Sequence, residues 1–474
     1  MSTTRHSRAT KIICTLGPVS SSPEMIGRLI EAGANIFRLN MSHGKHSWLR
    51  EIILRIRQKA EEQQANIAIL VDLQGPSIRT GELDEPYHLL PDDELEIRLN
   101  TASPSLPYST TVNYDGLLED VKSGDTIVVD NGGILMKVKS IGSDRMTCTV
   151  LTEGTFGSRR HINLPGVILR LPALTEKDIA DLQVAIECDA DYIAMSFVRS
   201  AEHVAELRRH IHSLHGKAQI IAKIEDQQAV KHIDDIIKSA DVIMVARGDL
   251  GIEVNIEELP LIQRRIITHC LRYGTRCIVA THMLESMITS PTPTRAEVTD
   301  VSNAIMEQAD AVMLSGETSV GLYPIHCIET LDSIARRMER AHISLDLSDR
   351  AVLKSDRQKA TKAAVSLADS VDEASLIIFT RRGLAATQAS VLRPKKAPIY
   401  AFSNDPCVVR QLSLARGVTA FEAAFHKDPA KMIDAAIAYL KEKKLISTGQ
   451  PVVILGDSLQ GEFIADSIIF LRVE

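Results

Sequence analysis

The 474 residues are about three times the usual single-domain length, which excludes a lone small module and sets an expectation of about two to four domains. Hydrophobic residues at 45% and charged residues at 24% describe an ordinary globular chain, not a membrane or disordered one, and aromatics at 4% leave its cores to aliphatic side chains. A net charge of −7, with 54 basic and 61 acidic residues mixed along the chain, argues against nucleic acid as a principal partner.

The opening segment MSTTRHSRAT is polar, and no apolar run approaches the roughly 18 residues of a spanning helix, so the expected setting is cytoplasmic with no membrane partner. Cys14, Cys148, Cys188, Cys270, Cys277, Cys327 and Cys407 are odd in number and form no C-x-x-C pair. That is the pattern of reduced core thiols, not of a disulfide frame or a zinc site.

In chain order, short β-branched runs fall at Ile12–Leu16, Asn35–Leu39, Ile67–Leu73, Tyr192–Phe197, Gln219–Ile224, Val242–Ala246, Cys277–Ala280 and Ala311–Leu314. Between them, Pro23–Glu31, His46–Gln64, Val204–Leu214 and Ile256–Tyr273 place apolar residues three or four apart, as helices covering a parallel sheet do. Eight such repeats predict an α/β fold, a closed (β/α)8 TIM barrel. The third and fourth runs are too far apart for one repeat, and from Ser77 to about Leu171 the helical pattern gives way to alternating strands, Leu95–Leu99, Thr126–Val129, Ile134–Val138 and Met146–Leu151. Hairpin signals join them at Asn131-Gly132-Gly133 and Gly142-Ser143-Asp144. The insertion reads as a small all-β lid leaving the barrel at its catalytic end.

After a helical connection near Leu331–Ala351 comes a smaller α/β region: helix Ala360–Ser370, strands Leu376–Thr380 and Ile399–Phe402, helix Pro429–Glu442, and strands Val452–Leu455 and Ile468–Leu471. The expected division is a catalytic barrel over 1–76 and 172–345, a lid over 77–171, and a C-terminal regulatory domain over 346–474.

The strand ends are polar where a closed barrel gathers them at one mouth: Arg38-Leu39-Asn40, Asp72, Lys223 with Glu225, Arg247-Gly248-Asp249, and Thr281-His282. Lys223 and Glu225 stand two apart, so the pleat puts both on one face. One reading is a buried ion pair, or part of a charge cluster with Arg247. The other reading is that Glu225 and Asp249 hold a hard divalent cation, Mg2+ or Mn2+, whose remaining positions go to water and substrate oxygens. Lys223 and Arg38 would then offset charge on a phosphoryl group in transfer. Gly248 permits close backbone approach, its N–H and that of Asp249 suit a carboxylate, and Thr281 stands opposite. Ser315-Gly316-Glu317 leaves open a simple strand-to-helix turn.

The strings Ile36-Phe37-Arg38-Leu39-Asn40-Met41-Ser42-His43-Gly44, Asp72-Leu73-Gln74-Gly75-Pro76, Asn163-Leu164-Pro165-Gly166, Ile221-Ala222-Lys223-Ile224-Glu225, Ala246-Arg247-Gly248-Asp249-Leu250-Gly251, Met283-Leu284-Glu285-Ser286-Met287 and Met313-Leu314-Ser315-Gly316-Glu317-Thr318 resemble, in wording, order and spacing, the pyruvate kinase family. The resemblance implies phosphoryl transfer from phosphoenolpyruvate to ADP, giving pyruvate and ATP, in a homotetramer. It implies that Glu225 and Asp249 bind the divalent metal, that Lys223 steadies the moving phosphoryl group, and that Arg38 grips it. Gly248, Asp249 and Thr281 match the carboxylate site and the surroundings of enolate protonation. Asn40, Ser42, Asp72 and the Leu73 carbonyl match a monovalent-cation site, and His43, Arg79 and Arg160 match nucleotide contacts.

Three departures qualify the resemblance. Ser77 stands where family members carry glutamate, associated with a potassium requirement, or lysine, which replaces the ion. With the oxygen ligands retained and no substitute cation, potassium dependence is the expectation. Thr380-Arg381-Arg382-Gly383-Leu384-Ala385-Ala386 lacks the hydroxyls of the family's sugar-phosphate loop; two arginines suit another phosphorylated effector, sugar phosphate or nucleotide, or form only an exposed basic turn. Arg170 and His282 stand where Asp and Gln are familiar. The alternatives are a magnesium-dependent barrel lyase acting on pyruvate enolates and a non-catalytic effector-binding homologue.

Overall fold

The computed structural model describes residues 8–42, 44–100, 102–130, 132–341, 351–426, 428–460 and 463–474, the side chains of 457–466 excepted. Eight parallel strands, Lys11–Thr15, Ile36–Asn40, Ala68–Asp72, Tyr192–Met195, Gln219–Ile224, Val242–Ala246, Arg276–Ala280 and Ala311–Leu314, pair in chain order, and the eighth returns to the first. Both faces of these strands are buried, which is why their sequences are continuous apolar runs. Ile13, Ile36, Leu70, Tyr192, Ile221, Met244, Ile278 and Met313 fill the barrel interior. The second strand runs one residue beyond its apolar stretch because Asn40 still pairs with Asp72 in the ladder.

The helices start and stop where backbone chemistry dictates. Ser22 caps Pro23–Ala32 by accepting from the Met25 N–H, and Gly33 ends it at φ 114, where a side chain would be strained. The periodic stretch from Ile256 divides into a 3-10 turn, Ile256–Glu258, and the helix Leu259–Tyr273, whose first turn takes Pro260.

Between the third and fourth barrel strands lies a six-stranded sheet in the order Ile162–Asn163, Thr126–Val129, Ile134–Ile141, Arg145–Val150, Glu94–Arg98, Tyr108–Thr111, with a separate pair formed by Tyr87–Leu89 and Gly154–Phe156. It has its own core of Leu95, Ile97, Ile127, Met136, Val138, Met146 and Phe156. The Gly142 turn closes its hairpin, Gly142 N donating to the Arg145 carbonyl at 2.7 Å. Tyr108–Thr111 escapes hydrophobic patterning because it is a polar edge strand. Its Ser109 hydroxyl donates to the fully buried Glu96 at 2.8 Å, which Arg145 also meets at 3.0 Å.

The C-terminal sheet has the order Val418–Glu422, Ile399–Ser403, Ser375–Phe379, Pro451–Gln460, Phe463–Arg472, with only the last strand antiparallel. Val418–Glu422 is an extra edge strand, and Leu384–Val391 and Pro406–Gln411 are extra helices. This layer meets the base of the barrel: Lys11 Nζ donates to the Val418 carbonyl at 2.7 Å, and Arg410 Nε to Asp191 at 2.7 Å. All seven cysteines are free, six of them buried. Among the described residues no helix is long and apolar enough to cross a membrane.

Candidate active site

The C-terminal ends of the second, third and fifth strands bring four charges together. Arg38 Nε donates to Asp72 Oδ2 at 2.7 Å, while Lys223 Nζ stands 2.9 Å from Glu225 Oε1 and 3.3 Å from Asp72 Oδ1. Asp72 and Glu225 are 1% exposed and Lys223 11%. The lysine is fixed by Ser196, whose hydroxyl accepts from Nζ at 2.7 Å and donates to the Leu73 carbonyl at 2.8 Å. Glu225 Oε2 accepts the Phe197 N–H at 2.6 Å, a contact allowed by the left-handed backbone of Phe197, φ 54.

Burial opposes ionisation of Asp72, but Lys223 and Arg38 outweigh it and hold the carboxyl below the usual range. Burial likewise opposes the charged form of Lys223, and Asp72 and Glu225 overcome it, raising the ammonium's pKa. Glu225 is pushed up to about 7, first by burial and then by the neighbouring Asp249 carboxylate, against the pull of Lys223. A buried carboxyl whose proton affinity is raised by a second carboxylate beside it is a demand for a cation. Among the described residues Asp249 makes no hydrogen bond or ion pair, so it is free to meet one. Among the described residues no three His, Cys, Asp or Glu side chains gather in metal-binding geometry. A divalent ion therefore fits with two protein carboxylates and oxygens from substrate and water.

Asp72 Oδ1 is buried without a hydrogen bond. With Asn40 Oδ1, which accepts from Ser42 N at 3.1 Å, and the nearby Leu73 carbonyl, it offers oxygens suited to a monovalent cation. Gly44 packs this loop tightly, since a Cβ there would meet Met41 Sδ at 3.0 Å and the Trp48 ring at 3.3 Å. Gly248 N donates to Thr281 Oγ1 at 2.8 Å, and that hydroxyl donates to the Ala280 carbonyl at 2.6 Å. A carboxylate binding at Gly248 would displace this threonine contact. Thr281 and His282 both hold positive φ, 68 and 55, clamped by Arg247, which donates to the Thr281 carbonyl at 2.6 Å and to Asp300 at 2.7 Å. Arg247 is thus engaged in holding this turn and does not join the Lys223 cluster.

On the lid, Arg79 is bridged to His161 in an isolated β-bridge and donates to the Ser77 hydroxyl at 3.4 Å and the Arg159 carbonyl at 3.1 Å. Arg160 pairs with Asp130 at 3.2 Å. His43 lies outside the described residues. Thr380 is buried, whereas Arg381 and Arg382 are exposed, Arg381 lying over the Phe425 ring. Arg170 joins two parts of the lid by ion pairs to Asp120 and Glu119, both at 2.7 Å, and His282 stands exposed 3.3 Å from Glu285. Glu317 is a structural clasp, accepting from Ser315 N at 2.7 Å and Leu284 N at 3.1 Å.

Sequence patterning missed Ser196, Phe197, His161 and Glu253, each placed by folding at long range. The His161 ring lies 5.9 Å from that of Phe197. Burial lowers its pKa and Arg79 adds to this, while Asp249 acts in the opposite sense. Glu253, pushed up to about 7 by burial, is met by Asn163 of the lid.

A closed barrel whose mouth carries a basic pair, two carboxylates and a β lid defines a phosphotransferase of the TIM-barrel class. The chain belongs to the pyruvate kinase family: the model of the "Pyruvate kinase, barrel domain" matches residues 7–328 and that of the "Pyruvate kinase, alpha/beta domain" residues 358–465. It is 39% identical to a pyruvate kinase of Geobacillus stearothermophilus, over 96% of this chain and 78% of that one. It is 37% identical to a pyruvate kinase of Dictyostelium discoideum, over 95% and 92%, and 37% identical to plastidial pyruvate kinase 2 of Arabidopsis thaliana, over 96% and 78%. A crystal structure of a pyruvate kinase from Cryptosporidium parvum superposes with a TM-score of 0.92 at 32% identity, covering 98% of this chain and 96% of that one.

Proposed function

We propose that this chain moves the phosphoryl group of phosphoenolpyruvate to ADP at the mouth built by Arg38, Lys223, Glu225 and Asp249, acting as a cytoplasmic homotetramer. The supporting observation is the convergence of Lys223 on Glu225 at 2.9 Å beside the unpaired Asp249. The P–O bond to the enol oxygen breaks, a bond to a terminal phosphate oxygen of ADP forms, and the enolate left behind takes a proton to become pyruvate. Lys223, kept protonated by its two carboxylates, and Arg38 offset the charge of the moving group. Thr281 and the backbone of Gly248 and Asp249 hold the substrate carboxylate and border the protonated carbon. Arg79 and Arg160, with His43, orient the nucleotide, and the lid excludes water that would otherwise take the phosphoryl group.

Glu225 and Asp249 would hold Mg2+ or Mn2+, which supplies Lewis-acid stabilisation of phosphoryl charge when bound. Asn40, Ser42, Asp72 and Leu73 would hold K+, Ser77 offering no charge in its place. In this reading 1–76 with 172–345 is the catalytic barrel, 77–171 the lid and 346–474 a regulatory domain. The loop Thr380-Arg381-Arg382 there would receive a phosphorylated effector, a sugar phosphate or a nucleotide.

The test is ATP formation from phosphoenolpyruvate and ADP with Mg2+, alongside Glu225→Gln, which should raise the metal concentration needed for half-maximal rate. Absence of ATP with pyruvate-enolate cleavage instead would point to a lyase, and absence of both to an effector-binding homologue.

A further inference from the structure

His161 and Asn163 stand two apart on the lid strand, so their side chains share a face, while Ile162 between them enters the lid core. Opposite them, on the barrel helix Arg247–Glu253, Asp249 and Glu253 stand four apart and share a helical face. The two repeats match: two strand residues span about 6.7 Å and four helical residues about 6 Å. The contacts follow this register. Asn163 Nδ2 donates to Glu253 Oε1 at 3.3 Å, with Asn163 5% and Glu253 9% exposed. The His161 ring, one strand repeat away, lies 5.9 Å from that of Phe197 on the barrel. Around this seam is a cavity of about 400 Å³ bordered by Phe197, Glu225 and Gln227. Asn163 Oδ1 faces no hydrogen-bond partner there.

We propose that His161 and Asn163 are positioning residues, a two-point seam that registers the lid on the barrel, Asn163 on the helix bearing Asp249 and His161 against Phe197, and so sets where Arg79 and Arg160 meet the nucleotide. The seam lies between lid and barrel; Arg38, Lys223 and Thr281 stand on the barrel strands, and Gly248, at the opposite end of the helix from Glu253, is held by Thr281 at 2.8 Å. Its kinetic consequence rests on the phosphotransferase reading. Its structural consequence does not.

Asn163→Asp sets a second carboxylate against Glu253. Assayed well above neutrality, where the two carboxylates do not share a proton, it should raise the KM for ADP by about tenfold while the KM for phosphoenolpyruvate and kcat at saturating ADP stay within about twofold. Adding Glu253→Gln restores a donor–acceptor pair in the opposite sense and should bring the KM for ADP back to within about threefold of the parent. Independently of turnover, amide hydrogen exchange in N163D should quicken over 159–164 and 250–253 and not in the C-terminal strands. Should that variant fail to fold, His161→Ala carries the same split. Equal rises in both KM values, no rescue by E253Q, or unchanged exchange along the seam would overturn the proposal. If ATP formation itself is absent, exchange alone decides it.

Discussion

The two ends of the barrel both bury charge, and they treat it differently. At the base, Asp191 has every oxygen engaged: Oδ2 accepts from Arg57 at 2.9 Å and Ile69 N at 2.8 Å, and Oδ1 from Arg410 at 2.7 Å. Asp310 is gripped by both Arg393 nitrogens, at 2.8 and 2.9 Å, and by Cys277 N at 2.9 Å. At the mouth, Asp72 Oδ1 is buried without a hydrogen bond, Lys223 standing 3.3 Å away, and the half-buried Asp249 side chain has no hydrogen bond or ion pair among the described residues. A carboxylate buried for architecture is saturated by the protein. One held for chemistry is left with capacity that the ligand fills, at a cost the surrounding cations Lys223 and Arg38 offset.

This contrast is broken most severely at Lys223. Lys223→Met should lower turnover by about a thousandfold or more with far-UV dichroism unchanged, and near-parental turnover would remove the lysine from its assigned role. At the base the outcome should be reversed. Arg393→Met leaves Asp310 buried and unpaired, so denaturant unfolding should show a loss of about 3–5 kcal/mol while turnover per folded molecule stays within about twofold. Exchanging potassium for a tetraalkylammonium ion at constant ionic strength should cost about tenfold in rate. Full activity without potassium would mean that Asp72 Oδ1 serves no monovalent ion.

The smallest effect concerns Lys11 at the base. Burial, reinforced by Arg8, pulls its pKa down to about 7, so above neutrality the unfolded chain binds a proton that the folded protein does not. Stability therefore rises with pH from about 7 towards the ordinary lysine value, and below 7 the fold carries a buried charge. Lys11→Met should raise the melting temperature more at about pH 6 than at about pH 9. An equal shift at both would show that the ammonium is not what the site resists.

Much of this was legible in the chain because the barrel is built from doubly buried strands, whose apolar runs stand out without context. Lys223, Glu225 and Asp249 were legible as polar strand ends, and the wording around them added the family. The polar edge strand Tyr108–Thr111 and the half-exposed Val418–Glu422 gave no such signal. Ser196 and Phe197 act through a hydroxyl bridge and a positive φ, properties set by the approach of distant strands. Asn163 and Glu253 become partners only when an insertion ninety positions away folds back over the helix. Arg170, unexplained from sequence, turns out to tie the lid to itself.

The tight packing at Gly44 puts the indole of Trp48 against the loop carrying Asn40 and Ser42. Since the chain holds a single tryptophan, emission excited on the red edge of the absorption band, beyond the tyrosines, arises from one place, beside the proposed potassium ligands. A fluorimeter and unlabelled protein are enough to follow that loop as salts or nucleotides are titrated in, with no background from elsewhere in the fold.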